Sequence, residues 1–80
     1  MNDDAIDQAI LAMLAIARGR WRKVAMVIAR IADQKGEDLP AGDDRYDLVA
    51  QRVEALVLDG RLMAQGDIKK WRFSEVRRPN

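Results

Sequence analysis

Three carboxylates, Asp43, Asp44 and Asp47, form the densest group of chemistry-bearing side chains in the sequence. Such a group can hold a hard cation such as Mg²⁺ through oxygen ligands. No loop of alternating ligands follows it, however. The same acids suit a helix start, where they cap free N–H groups and complement the helix dipole, and that is the role expected of them. A second group is basic: Arg18, Arg20, Arg22 and Lys23 stand at the expected start of another helix. Cations are disfavoured there by the dipole. Exposed N–H groups and arginine forks together would suit a phosphate or a carboxylate of another chain. The competing role is pairing with the acidic first helix or with the acidic loop after Gly36.

The missing residue types exclude more than the present ones suggest. The chain has no His, no Cys and no Thr, and Ser74 is its only serine. Imidazole base catalysis, thiolate chemistry, disulfides and nitrogen or sulfur metal ligation are therefore ruled out. A nucleophile–base pair would have to come from Lys or carboxylates alone. The expectation is a non-enzymatic protein with no cofactor, no metal and no small-molecule substrate.

Charge is organised in blocks. Lys plus Arg is 14 and Asp plus Glu is 13, a net charge of +1, too small to attract nucleic acid or an anionic membrane by bulk field. Residues 1–17 carry −3, residues 18–35 carry +5, residues 36–59 carry −5 and residues 60–80 carry +4. The plainest use of such alternation is attraction between neighbouring segments at solvated faces.

Periodicity supplies the elements that position these groups. With 80 residues, 49% of them hydrophobic and 34% charged, the chain is expected to fold as a single domain, residues 1–80. A first helix is expected over about 3–17, with Ile6, Ile10, Met13 and Ala17 as its core stripe and Leu14 and Ile16 beside it. A second is expected over about 20–34, its stripe Trp21, Val24, Ile28 and Ile31. Gly36, Pro40 and Gly42 then break the pattern. A third helix over about 44–59 carries Tyr46, Val49, Val53, Leu56 and Val57 on one face and stops at Gly60. After Gly60 the period becomes two. The spacing predicts a hairpin over about 61–73 with Gly66-Asp67 as its turn, Leu62 opposite Trp71 and Ala64 opposite Lys69. Leu62, Ala64, Trp71 and Phe73 would share the apolar face; Met63, Gln65, Ile68, Lys70 and Arg72 would share the other. The tail, residues 75–80, is expected to be loosely held.

Three helices followed by a hairpin, in the order α-α-α-β-β, make a mainly α (α+β) domain of winged-helix-like arrangement, the hairpin being the wing. A three-helix bundle with an added hairpin is the alternative. The run Trp21-Arg22-Lys23-Val24-Ala25-Met26-Val27-Ile28, then Arg52-Val53-Glu54-Ala55-Leu56-Val57-Leu58-Asp59-Gly60-Arg61-Leu62, Gln65-Gly66-Asp67 and Arg72-Phe73-Ser74-Glu75-Val76-Arg77 resemble a small bacterial winged-helix-like domain of unknown function. That domain is often found C-terminal to a larger domain, also of unknown function. The resemblance runs from about residue 5 to residue 78 and implies a helical domain with a short hairpin. Its motifs are mostly core and turn residues, so it implies no catalytic residue.

Two kinds of partner follow. A groove-reading third helix needs bases near the phosphates, yet Asp43, Asp44 and Asp47 stand at its start. The connection over residues 35–42 also exceeds the 3–4-residue turn of a DNA-reading helix pair. Sequence-specific DNA reading is disfavoured. Nonspecific binding of nucleic acid or another anion remains the alternative, through Arg20, Arg22, Arg52, Lys69, Lys70 and Arg72. The favoured reading is an interaction module that self-associates, as in a homodimer, or docks onto a partner protein. Residues 9–17 are apolar throughout, a wider face than an ordinary surface helix shows. Leu11, Ala15, Leu48, Ala55 and Leu58 lie off the expected core stripes and are the candidate protein interface. The acidic start and the lack of a long apolar run point to a cytoplasmic protein without membrane partners.

Overall fold

Apolar residues at helical spacing wind the first segment into α1 (Asp3–Ile16), which buries Ile6, Asp7, Ile10 and Leu14. Asp3 and Asp4 occupy its first turn, where a negative charge meets the positive end of the helix dipole. The structure, a computed structural model, describes residues 3–40 and 42–79. Met1 and Asn2 of the acidic start, and Asn80 of the tail, lie outside the described residues. Helix α1 ends in two successive left-handed residues, Arg18 at φ 55° and Gly19 at φ 80°. A two-residue strand, β1 (Arg22–Lys23), follows, and α2 (Val24–Gln34) starts directly after it.

The second helix thus begins at Val24, four residues later than periodicity indicates. Arg22 and Lys23 are extended because they pair with Val76 and Glu75 of the last strand, and the Val24 N–H donates to the Ser74 carbonyl at 3.0 Å. Long-range pairing overrides local helix propensity here. Helix α2 buries Val24, Val27, Ile28, Ile31 and Ala32. Val27, outside the expected stripe of Trp21, Val24, Ile28 and Ile31, is fully buried. Helix α2 packs against α1, against the third helix and against the C-terminal segments, so it needs a wider apolar face than a helix with one neighbour.

The loop after α2 contains a 3-10 turn (Gly36–Asp38) and is pinned by buried Leu39. Helix α3 (Asp44–Leu58) buries Val49, Val53 and Leu56. Tyr46, expected inward, is exposed. The Asp43 side chain makes no capping hydrogen bond; its backbone carbonyl instead accepts from Tyr46 and Asp47. The stop at Gly60 is as expected. Gly60 takes φ 81°, its N–H donates to the Val57 carbonyl, and the Arg61 N–H donates to the Leu56 carbonyl at 2.9 Å. This paired closure is the Schellman arrangement, which requires a left-handed residue after the helix.

The hairpin differs most from expectation. Strand β2 (Met63–Gln65) pairs antiparallel with β3 (Glu75–Arg77), matching Met63 with Arg77, Ala64 with Val76 and Gln65 with Glu75. Gly66-Asp67 opens a longer connection instead of closing a two-residue turn. Asp67 Oδ1 accepts from the Lys69 N–H at 3.0 Å, and the Asp67 carbonyl accepts from Lys70 at 2.9 Å. A 3-10 turn (Trp71–Phe73) then occupies what periodicity marks as the second strand. Phe73 is 83% exposed, not on the apolar face. Ile68, expected outside, packs against the core with Trp71. Residues 75–77, expected in a loose tail, form the middle strand of a sheet ordered β1-β3-β2, with Val76 fully buried. The result is a three-helix α+β domain with a small antiparallel sheet.

Candidate interaction surfaces

One buried acid organises the α1–α3 contact. Asp7 is 5% exposed, and Arg52 of α3 binds it with both arms: Nε donates to Oδ1 at 2.9 Å and Nη2 to Oδ2 at 2.8 Å. Asp3 adds a longer contact to Arg52 Nη1 at 3.5 Å. The hydrogen bond to Asp7 holds the guanidinium above its ordinary pKa, against partial desolvation, and the charges of Asp7, Asp3 and Asp4 add to the effect. Paired bidentate geometry of this kind is the strong form of the interaction. Arg52, one of the candidate anion-binding residues, is therefore engaged inside the domain.

The other basic candidates lie on two connections. Arg20 and Arg22 follow α1, where Arg20 Nε donates to the Ala17 carbonyl at 3.2 Å. Lys69, Lys70 and Arg72 are exposed on the β2–β3 connection, and the Arg72 guanidinium sits 5.3 Å from the Trp71 ring centre. Helix α3 presents the opposite sign. Asp44, Asp47, Gln51 and Asp59 are exposed along or beside it. Its two bases are engaged: Arg52 on Asp7, and Arg45 Nε on the Pro40 carbonyl at 3.2 Å.

The candidate protein interface divides in the same way. Leu11 and Leu48 are half-buried and pack against the core, and Ala55 is half-buried. Ala15 and Leu58 are exposed, Leu58 at 79%. An apolar opening on α1 lies on its other flank. A groove of about 380 Å³ between α1 and α2 is lined by Ala9, Ala12, Met13, Ile16 and Met26, with Arg22 and Arg30 also lining it. Ile16, 80% exposed, stands in it. Periodicity sets Ile16 beside the core stripe of α1. At 100° per residue Ile16 lies about 120° from Ile10, which turns it towards solvent, so the signal was present in the helix geometry. A second cleft, of about 490 Å³, lies between α2, α3 and the β2–β3 connection and is lined by Ala25, Ile28, Asp47, Tyr46, Trp71 and Arg72.

Little else has chemical potential. Ser74 is 2% exposed with its Oγ unpaired, so it offers no accessible nucleophile. Arg77 stacks on Trp21 at 4.7 Å from the ring centre and fastens the sheet to the segment before α2. Among the described residues no three carboxylates are placed to hold a metal ion, and no helix is long and apolar enough to cross a membrane. Compared with family models, curated proteins and solved structures, the chain shows no match.

Proposed function

We propose that this chain is a cytoplasmic, non-enzymatic winged-helix-like module that works by docking another protein. The winged-helix reading is supported by β1 lying between α1 and α2, by the strand order β1-β3-β2, and by the long β2–β3 connection in the place of a wing. The observation that carries the docking reading is the α1–α2 groove, lined mostly by apolar side chains and holding an 80% exposed Ile16. A large aliphatic side chain standing over alanines and methionines loses water-exposed area when a partner covers it. Recognition-helix DNA binding is opposed by α3, whose exposed charges are acidic and would face phosphates. The second reading, nonspecific nucleic-acid binding, is favoured by Lys69, Lys70 and Arg72 on the β2–β3 connection.

A photoreactive amino acid at position 12, in the groove, and at position 51, on the outer face of α3, separates the two in cells. Protein adducts at position 12 but not at position 51 are expected. Titration with duplex DNA and single-stranded RNA at low salt is expected to show no binding at micromolar protein. Tight binding of either, with no protein adduct at position 12, would overturn the docking reading.

A further inference from the structure

We infer that the occupant of the α1–α2 groove is the same face of a second copy of this chain, with the two α1 helices antiparallel about a two-fold axis beside Ala12 and Met13. The inference rests on the docking reading and names its partner. Ala5, Ala9, Ala12 and Ile16 follow one another at spacings of four, three and four, so they form a single stripe along α1. The stripe adjoins α2, because Ala9, Ala12 and Ile16 line the groove with Met26. Alanines allow two helix backbones to approach closely, and the one large residue, Ile16, sits at the C-terminal end of the stripe. Antiparallel pairing about residues 12–13 sets each Ile16 against Ala9 of the other copy. The large side chain of one helix then meets the small one of its neighbour, twice.

Charge selects the antiparallel direction and this partner. The exposed acids of α1, Asp3 and Asp4, lie at its N-terminal end, and residues 8–17 carry no charge. Four bases, Arg18, Arg20, Arg22 and Lys23, follow its C-terminal end. Antiparallel pairing brings each acidic end beside the other copy's basic end, where Arg22 already lines the groove. Asp4 stands roughly 13 Å along the helix from the proposed axis, at 1.5 Å rise per residue, which carries it past the other copy's Ile16 towards the basic segment that follows that helix. Parallel pairing would set acid against acid and base against base. A surface that is complementary to itself in both shape and charge is the condition for an isologous dimer.

The absence of Cys from the chain makes the test direct, since every introduced thiol is unique. Size exclusion with light scattering is expected to show mass rising from one chain to two with concentration. Ile16→Asp, at an exposed position, is expected to keep the helical circular dichroism and to weaken dimerisation on the order of 100-fold, since two isoleucines lose their burial. Under mild oxidation Ala12→Cys should cross-link to itself rapidly. Ala9→Cys and Ile16→Cys should cross-link to each other when mixed, and neither to itself. A monomer at millimolar concentration, or an Ala12→Cys cross-linking rate no faster than that of Gln51→Cys, would overturn the inference. Self-cross-linking of Ala9→Cys would overturn the antiparallel arrangement. If the chain stays monomeric while position 12 still forms adducts with a different protein, the self-pairing fails and the docking reading stands.

Discussion

Removing the Asp7 carboxylate should be among the most destabilising single changes on α1 outside its apolar core. The Asp7 side chain is 7% exposed and that of Arg52 is 25% exposed. Asp7→Ala would strand a guanidinium that now makes two bonds at 2.8–2.9 Å. Breaking a buried pair by deleting one partner costs about 3–5 kcal/mol. A quarter-exposed Arg52 regains some water, and Asp3 at 3.5 Å keeps part of the attraction. These two effects bring the expected loss down to about 2–3 kcal/mol. For a domain of this size, with total stability of roughly 4–12 kcal/mol, that is a large fraction. It corresponds to a fall in Tm of roughly 10–20 °C. The assay is urea unfolding followed by fluorescence of Trp21 and Trp71, with the slope m compared to ensure that the unfolded state is unchanged. Arg52→Met should cost at least as much, because it leaves a buried carboxylate unpaired, whereas Asp7→Leu combined with Arg52→Met should recover most of the loss. The sign of the pH dependence follows from Arg52. Its pKa is raised on folding, so the contribution of its own protonation is complete below the unfolded value and is lost as pH climbs through the folded one. Both lie above the range of ordinary buffers, so the gap between wild type and Asp7→Ala should not change from neutral to mildly alkaline pH. A loss below about 0.5 kcal/mol for Asp7→Ala would refute the reasoning, since that is the range of an ordinary surface substitution.

Further substitutions separate buried from exposed positions. Gly66→Ala should cost about 2 kcal/mol or more, because φ is 83° and a Cβ would stand 2.9 Å from the Phe73 carbonyl oxygen; Gly42→Ala, with φ 75° and open space, should cost only about 1 kcal/mol in the same urea assay. Deleting residues 75–80 should abolish cooperative unfolding, and Val76→Ala should cost about 2 kcal/mol, whereas a loose tail would tolerate both. Phe73→Ser, at an 83% exposed position, should change stability by less than about 0.5 kcal/mol.

The elements that periodicity revealed are those whose residues repeat. Ile6, Ile10 and Leu14 mark α1, Val49, Val53 and Leu56 mark α3, and Gly60 marks the stop that only a left-handed residue makes easily. The sheet was nearly invisible for the opposite reason. Arg22–Lys23 is too short to show a period, and β3 contributes one apolar residue, Val76, between charged neighbours. The alternation of Trp71, Arg72 and Phe73 resembles a strand, but Asp67 turns the chain just before it, and the Phe73 N–H donates to the Lys70 carbonyl at 2.8 Å to close a 3-10 turn. Block charge pointed to pairing between neighbouring segments. The strongest ion pair instead joins Asp7 to Arg52, the latter inside a block whose net charge is also negative. Asp7 shares a helix face with Ile10 and Leu14, three and seven residues on, which marks it for burial, but nothing in the sequence names Arg52 as its partner. The open apolar flank of α1 was half legible: residues 9–17 stand out as apolar, but which flank of α1 stays open depends on where α2 and α3 pack.

The most direct test of self-pairing through the α1–α2 groove is the amide NMR spectrum of the labelled chain followed from micromolar to millimolar concentration. Shifts that change with concentration should cluster at Ala9, Ala12, Ile16, Arg22 and Met26, with Asp3 and Asp4 following. A spectrum that does not change with concentration, or changes confined to Leu58 and residues 69–72, would contradict the self-pairing.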